Sequence, residues 1–148
     1  MFKLKTISLL IFIFSSQYIF VQEKKIEIIR AKYLDKEEIL YHHANILKGS
    51  IEKQVHLRHD EMDIFSNNAI FFQKKNKFIA VGDVFLKQGD SLELKCDSLN
   101  YDGKIKKFFS YGKVSLINKV TKLESNELFY DRDKNIASFF SGGNIFDS

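Results

Sequence analysis

Apolar and polar residues alternate with a period of two along most of the chain. In one stretch Leu92, Leu94 and Cys96 are separated by single charged residues. A period of two is typical of a β-strand with one buried face. After residue 22 the only candidate helix covers residues 35–46. The pattern therefore predicts an all-β fold.

The alternating pattern recurs about every thirty residues. The segment 82–86 (GDVFL) is followed by the similar segments 112–116 (GKVSL) and 143–147 (GNIFD), and 53–57 (KQVHL) precedes it with Lys in place of Gly. A second set of segments keeps nearly the same spacing: 68–72 (NAIFF), 97–101 (DSLNY) and 126–130 (NELFY). A phenylalanine also stands four positions before each glycine, at Phe78, Phe108 and Phe139. Three sequence features that recur at nearly the same interval indicate an internal repeat.

Each repeat contains a point where the apolar positions change parity. Cys96 and Leu99 lie three residues apart, so one residue is added to the alternation between them. Such a shift turns side chains to the other face unless the strand bends or bulges. Asp97, with Asn68 and Asn126 as its equivalents, is predicted to adopt the unusual dihedrals of this corner. Each glycine before a valine is predicted to have a positive φ, which gives about four short strands per repeat.

The repeats must stack because one unit cannot bury its apolar face alone. We therefore expect an all-β jellyroll, or a solenoid-like stack of ~30-residue repeats, with open edge strands. Leading strands in residues 26–47 are expected to begin the stack, with burial of Ile26, Ile28, Leu34, Ile39 and Leu40. The unpaired edge near residue 148 favours association with another strand, from a partner or a second copy.

The alternation and the repeats together predict which side chains face the interior. The inward candidates are Val55, Leu57, Phe65, Ile70, Phe72, Phe78, Val84, Leu86, Leu94, Leu99, Tyr101, Val114, Leu116, Leu123, Leu128 and Tyr130. In a closed body these residues are simply core. In a body whose sheets fail to close they line an apolar trough, which holds acyl chains without special polar chemistry.

Residues 1–21 differ from the rest of the chain. Lys3 and Lys5 precede an apolar run over residues 7–14, and no acidic residue occurs before Glu23. This is the layout of a secretory signal peptide, so we expect export, with the segment either removed or kept as a membrane anchor. Residues 22–148 then form the folded domain.

Composition narrows the function classes. Fifteen Phe and six Tyr favour strands. Without Lys3 and Lys5, 21 basic residues stand against 19 acidic ones, so the charge does not indicate nucleic-acid binding. The single cysteine, Cys96, cannot form an internal disulfide and is expected to be a buried apolar residue.

No catalytic constellation is evident. His56 and His59 could approach a zinc site together with Asp60 and Glu61. The alternation instead places His56 outside, and alignment of the repeats places His59 in a surface turn. Asp131 lies in a repeated polar turn, where carboxylates are ordinarily solvated. We expect no enzyme activity, no metal and no cofactor.

The repeated motifs resemble those of the OstA-like (organic-solvent-tolerance) proteins. The resemblance rests on G-x-V-x-L at 82–86 and 112–116, on D/N-x-L-x-Y at 97–101 and 126–130, and on the opening segment 25–31 (KIEIIRA). It implies a twisted β-jellyroll with an apolar trough for the acyl chains of lipopolysaccharide. It also implies a periplasmic location in a Gram-negative bacterium and end-to-end joining with other jellyroll components of lipopolysaccharide transport or with itself.

Three functions stay open at this point. A carrier or bridge for lipopolysaccharide or a related lipid is the first, associated with the outer or inner membrane or free in the periplasm. The second is an exported structural scaffold without lipid, and the third is a small metal- or glycan-binding hydrolase. The segment 41–52 fits no repeat, which leaves a bridge, a membrane-anchored adaptor and a translocon fragment as alternatives within the first.

Overall fold

The computed structural model describes residues 22–37 and 43–147, and these form twelve antiparallel strands. The strands are β1 (Glu27–Arg30), β2 (Tyr33–Glu37), β3 (Ala44–Lys48), β4 (Val55–His59), β5 (Met62–Ser66), β6 (Asn68–Phe72), β7 (Lys77–Gln88), β8 (Leu92–Asp102), β9 (Lys107–Asn118), β10 (Thr121–Asp131), β11 (Ile136–Ser138) and β12 (Gly143–Asp147). One 3₁₀ turn covers Gln73–Lys75. The predicted all-β fold is confirmed. The predicted leader, residues 1–21, lies outside the described residues.

The candidate helix over residues 35–46 is wrong. Asp35 lies in β2 and Ile46 lies in β3, and the two residues are paired across an antiparallel hairpin. β3 pairs in turn with β6. Pairing in a sheet outweighs a weak local helical preference because it satisfies the backbone groups of the whole segment.

The four long strands β7, β8, β9 and β10 each cross two layers of the molecule. One half of each strand joins β1, β4, β5 and β12 in the first layer, and the other half joins β2, β3, β6 and β11 in the second layer. The pairing register shifts in mid-strand, between Val81 and Val84 and between Lys95 and Ser98. The four short strands predicted per repeat are thus the halves of two bent strands.

Glycines form the corners between the layers. Gly82 and Gly112 have φ of 81° and 75°, a left-handed conformation that glycine adopts without steric cost. The prediction for these glycines is confirmed. The predicted corners at Asp97 and Asn126 coincide with register shifts between Lys95 and Ser98 and between Ser125 and Glu127, although neither residue has a positive φ. The Asp97 side chain instead packs against Gly112, where an added Cβ would overlap its carboxylate.

The same contact corrects the alignment of the repeats. Asn67, rather than Asn68, packs against Gly82 in the way that Asp97 packs against Gly112. The correct alignment of β6 with the later repeats is therefore shifted by one residue from the predicted one. A shift of one residue exchanges the two faces of a strand. Ala69 and Phe71 face the core, whereas Ile70 and Phe72 lie on the outside.

The two layers enclose one hydrophobic core. Its buried members come from Ile26 and from strands β3 to β10, and Phe78, Leu99 and Phe108 are exposed by no more than 1%. Of the leading residues, Ile26 is buried and Ile28 packs against the core, but Leu34 is half exposed, so its predicted burial is wrong. Ile39 and Leu40 lie outside the described residues.

Candidate functional site

A continuous row of apolar side chains crosses the inner face of the first layer. Directly paired residues form the row in the order Leu57, Ile64, Leu86, Leu94, Leu116, Leu123 and Ile145. Seven strands spaced by about 4.8 Å make this row about 29 Å long. Aromatic residues of the second layer face it, among them the paired rings of Phe78 and Tyr101, whose centroids are 5.3 Å apart.

Most of the predicted inward residues do lie in this interior. Val55, Leu57, Phe78, Val84, Leu86, Leu94, Leu99, Tyr101, Val114, Leu116, Leu123, Leu128 and Tyr130 are all buried. The inward predictions for Phe72 and Ile70 are wrong because β6 has the opposite parity. The prediction for Phe65 is also wrong, since this ring lies outside and stacks on His56 at 4.4 Å.

The interior is closed along most of its length and open at one end. Leu86 and Leu94 are 0% exposed, whereas Leu123 is 8% and Ile145 is 60% exposed. Ile145 continues the inner row on β12, at the edge of the first layer. The apolar surface therefore reaches solvent at the β12 end of the molecule.

Opposite the corners, the ends of the two layers meet along a polar seam. Arg132 Nε of the second layer donates a hydrogen bond to Gln88 Oε1 of the first, at 3.1 Å. Asn118 Nδ2 and Asn135 Oδ1 are joined at 3.3 Å across the same boundary. A cavity of about 580 Å³ lies along the seam. The two layers are held together here by side chains rather than by continuous strands.

A buried hydrogen-bond chain runs through the middle of the seam. Arg132 Nη1 donates to Tyr101 Oη at 2.6 Å, and Tyr101 donates to His59 Nδ1 at 2.6 Å. His59 Nε2 then donates to the carbonyl oxygen of Lys24 at 3.0 Å. These partners are satisfied by a neutral imidazole with its proton on Nε2. Burial lowers the pKa of His59 and raises the pKa of Tyr101 to about 12.

The predicted surface position of His59 is wrong. The side chain is 1% exposed, and its ring lies edge-on to that of Tyr101. The signal for this was present in the sequence, because Val55, Leu57 and His59 are two residues apart and share one face of β4. His56 lies on the other face, with Nε2 2.6 Å from Asp63. The two histidines therefore cannot bind one zinc ion, and no cluster of three potential metal ligands occurs among the described residues.

The segment before β1 covers part of the seam. The backbone N–H of Ile26 donates to Asn76 Oδ1 at 2.8 Å, and Asn76 Nδ2 donates to the Lys24 carbonyl at 3.0 Å. The Ile26 side chain inserts into the core and is 5% exposed. Lys24 also pairs with Asp60 at 3.2 Å. Residues 22–26 thus form a strap across the end of the seam where His59 lies.

Sequence reasoning missed the seam as a feature. Arg132 and Asn76 lie in turns and Gln88 ends β7, and a repeated polar turn looks like an ordinary solvated loop. Their contacts join positions 44 and 50 residues apart, for which the sequence carries no local signal.

The model of one known protein family matches almost the whole chain. The model of the family described as OstA-like protein matches residues 23–148. The chain belongs to the OstA-like protein family. The resemblance noted in the repeats is therefore confirmed.

Among solved structures, the fold of this OstA-like chain is similar to that of LptH from Pseudomonas aeruginosa. LptH is described as the LptA-homologous periplasmic component of the conserved lipopolysaccharide transport device. The TM-score is 0.70 at 13% sequence identity, and the match covers 85% of this chain and 96% of LptH. The predicted β-jellyroll is confirmed by this likeness. A search of curated proteins gave no match. No helix in the described part of the chain is long and apolar enough to cross a membrane.

Proposed function

We propose that this protein carries lipopolysaccharide or a related lipid through the periplasm, with the acyl chains held between its two layers. The observation that carries the proposal is the unbroken inner row from Leu57 to Ile145. Membership of the OstA-like family and the likeness to a periplasmic transport component support it. The role is one of transport, so it requires no catalytic step, metal or cofactor.

The energetics of such a site need only apolar surface. Each methylene transferred from water into an apolar environment contributes about 0.8 kcal/mol. The row of about 29 Å offers this surface without a polar interruption. Because the inner side chains are buried against each other, the acyl chains must take the place of contacts between the two layers.

The open end of the row favours a bridge. Ile145 is 60% exposed and lies on the edge strand β12, which pairs with β10 along one side. A strand from a second jellyroll, either another transport component or a second copy, would pair with β12 and extend the apolar row. The lipid would then pass from one interior to the next without contact with water.

Site-specific photocrosslinking tests the lipid site. A small diazirine amino acid is placed at Leu86, Tyr101 or Leu116, which face the interior, and the protein is irradiated in cells that make lipopolysaccharide. We expect a lipopolysaccharide adduct at each of these positions. Probes at Phe85 and Ser115 are the matched controls because they lie on the same strands with the opposite facing.

Adducts from the outer positions alone, or from none of the three inner positions in a folded protein, would contradict the proposal. The second candidate is then an exported structural scaffold. The observation that favours a scaffold is the closed packing of the interior, since Leu86 and Leu94 are 0% exposed as in an ordinary core.

A further inference from the structure

The outer faces of the two layers differ in chemistry. On the first layer, one cross-strand row carries charges of alternating sign, with Arg58 2.8 Å from Asp63 and Lys87 3.7 Å from Glu93. On the outer face of the second layer, one cross-strand row is mostly apolar. Its directly paired members are Ile46, Ile70, Ile79, Asn100, Phe109 and Phe129. The charged face is suited to solvent, whereas the apolar face is suited to a ligand.

A groove of about 410 Å³ lies in this apolar face. Phe72 and Ile79 form one wall, and Phe109 and Phe129 form the other, with ring centroids 4.8 Å apart. Ile105 lines it from the turn after β8 and is 53% exposed. This volume falls in the range of small-molecule sites. We call this feature the outer groove.

The outer groove follows β8, whose outward side chains are smaller than those beside it. Asn100 is paired with Ile79 on β7 and with Phe109 on β9. The two walls stand on strands about 9.6 Å apart, which is twice the spacing of neighbouring strands. That width leaves room for one polymethylene chain between the walls and excludes a bundle of several chains.

Positive charge collects at one end of the outer groove. Lys75, Lys77 and Lys107 line it together with one acid, Asp102. Lys77 pairs with Asp102 at 2.6 Å and Lys107 pairs with Asp131 at 3.2 Å, while the Lys75 ammonium lies 5.8 Å from the centre of the Phe72 ring. Three ammonium groups thus stand against two carboxylates, so an anionic group at this end would meet a net positive charge beside an apolar channel.

We propose that the outer groove binds one fatty-acid molecule, with the acyl chain along β8 and the carboxylate at Lys75. The two walls are formed by apolar side chains, and Asn100 supplies the one amide side chain in the lining. This mostly apolar lining favours an alkyl chain over a sugar or a peptide. Phe78 and Tyr101 of the interior also contribute to the lining of the outer groove, but the Asn100 side chain lies on the opposite face of β8 from Leu99 and Tyr101. The outer groove and the interior proposed above for lipopolysaccharide therefore lie on opposite sides of the second layer. Either proposal can fail without the other.

Methyl NMR of the exported full chain, labelled with ¹³C at the isoleucine methyl groups, tests the proposal. Dodecanoate is added below its micelle concentration. We expect saturable shifts of the Ile79 and Ile105 methyl resonances and cross-relaxation between these methyls and the chain protons. Ile117, which is 39% exposed on the outer face of the first layer, should not shift.

Two variants localise the binding. Asn100→Phe fills the outer groove and should abolish the shifts, whereas Ser115→Phe on the outer face of the first layer should leave them unchanged. Lys75→Gln should weaken binding of dodecanoate by roughly tenfold, the effect of losing about 1.4 kcal/mol, and should leave dodecanol binding unchanged.

Several outcomes would overturn the proposal. Shifts at Ile64 in the interior without shifts at Ile79 and Ile105 would place the fatty acid elsewhere. Shifts with anionic phospholipid vesicles but not with dodecanoate would make this face a membrane surface. Shifts that follow protein concentration without any fatty acid would make it a contact between two copies.

Discussion

At the residue scale, the most informative group is the neutral histidine in the seam. His59 accepts a hydrogen bond from Tyr101 and donates one to the Lys24 carbonyl. A proton on Nδ1 would remove the acceptor that Tyr101 uses and would place a charge near Arg132. The side chains that face it include Asp60, Lys106 and Tyr101, and burial is the main reason that its pKa is lowered.

This histidine should make the stability depend on pH. Because the folded protein disfavours the charged imidazole, the unfolded chain binds more protons at acid pH. The stabilisation is complete above the ordinary histidine pKa of about 6.5 and is lost as the pH falls through the lower folded value. We expect the free energy of unfolding, measured with urea, to fall between about pH 7.5 and pH 5.5.

The matched variant is His59→Leu, which fills the same buried position with a side chain that cannot bind a proton. Its free energy of unfolding should fall less over this interval. The other histidines of the chain are present in both proteins, so the comparison isolates the effect of His59. Asp60, Asp63 and Asp102 have lowered pKa values, largely through hydrogen bonds to cationic groups that outweigh desolvation, and they titrate at more acidic pH. An equal fall in both proteins would show that His59 is not the source.

At the scale of the strands, the corner contacts set which face of β6 is buried. Asn67 packs against Gly82, so the alternation begins one residue earlier than the sequence alignment suggests. As a result Phe71 is 3% exposed in the core, while Phe72 lines the outer groove. Two adjacent phenylalanines thus have different roles.

Alanine substitution of these two residues tests the register. Phe71→Ala should lower the free energy of unfolding by roughly 3–5 kcal/mol because it leaves a cavity in the core. Phe72→Ala should cost about 1 kcal/mol or less, as for a residue on the surface. Urea unfolding measures both. Equal costs would contradict this register, and a larger cost at Phe72 than at Phe71 would support the alignment that places Ile70 and Phe72 inside.

Sequence periodicity was enough to predict the fold and most of the interior. Val84, Val114 and Val55 occupy equivalent buried positions because a period of two and a repeat of about thirty residues fix the same facing. The prediction for Phe72 was wrong because the repeats were aligned on Asn68, whereas Asn67 occupies the corner next to Gly82. The outer groove was not predictable, because it depends on which residues of β7 and β9 are paired with Asn100.

At the scale of the whole molecule, the two layers are joined in different ways at their two sides. Four strands pass continuously through the corners, whereas the seam is closed by side chains such as Asn118 and Asn135. Separation at the seam therefore breaks few hydrogen bonds. If lipid reaches the interior from the side, it should do so through the seam.

A crosslink across the seam tests this route. Asn118→Cys and Asn135→Cys are introduced together in a Cys96→Ala background and joined by a short bifunctional thiol reagent. We expect the joined protein to take up less lipopolysaccharide than the same variant before crosslinking, as measured by the photocrosslink yield at Leu116.

The matched control joins two strands within one layer. Lys87→Cys and Glu93→Cys lie on paired strands of the first layer, so a crosslink between them leaves the seam free. Lipid uptake should be unchanged by this second crosslink. Equal uptake by the protein joined across the seam would show that lipid uses the open end near Ile145 instead.

The bent strands have a further mechanical consequence. Each of β7 to β10 belongs to both layers, so the line of corners at Gly82 and Gly112 is a hinge that cannot come apart while the strands stay paired. Separation of the two layers at the seam would leave the strands paired within each layer. Their amide hydrogens would therefore stay protected from exchange with solvent. If acyl chains enter between the layers as proposed, the layers should therefore separate at the seam while the strands stay paired at the corners.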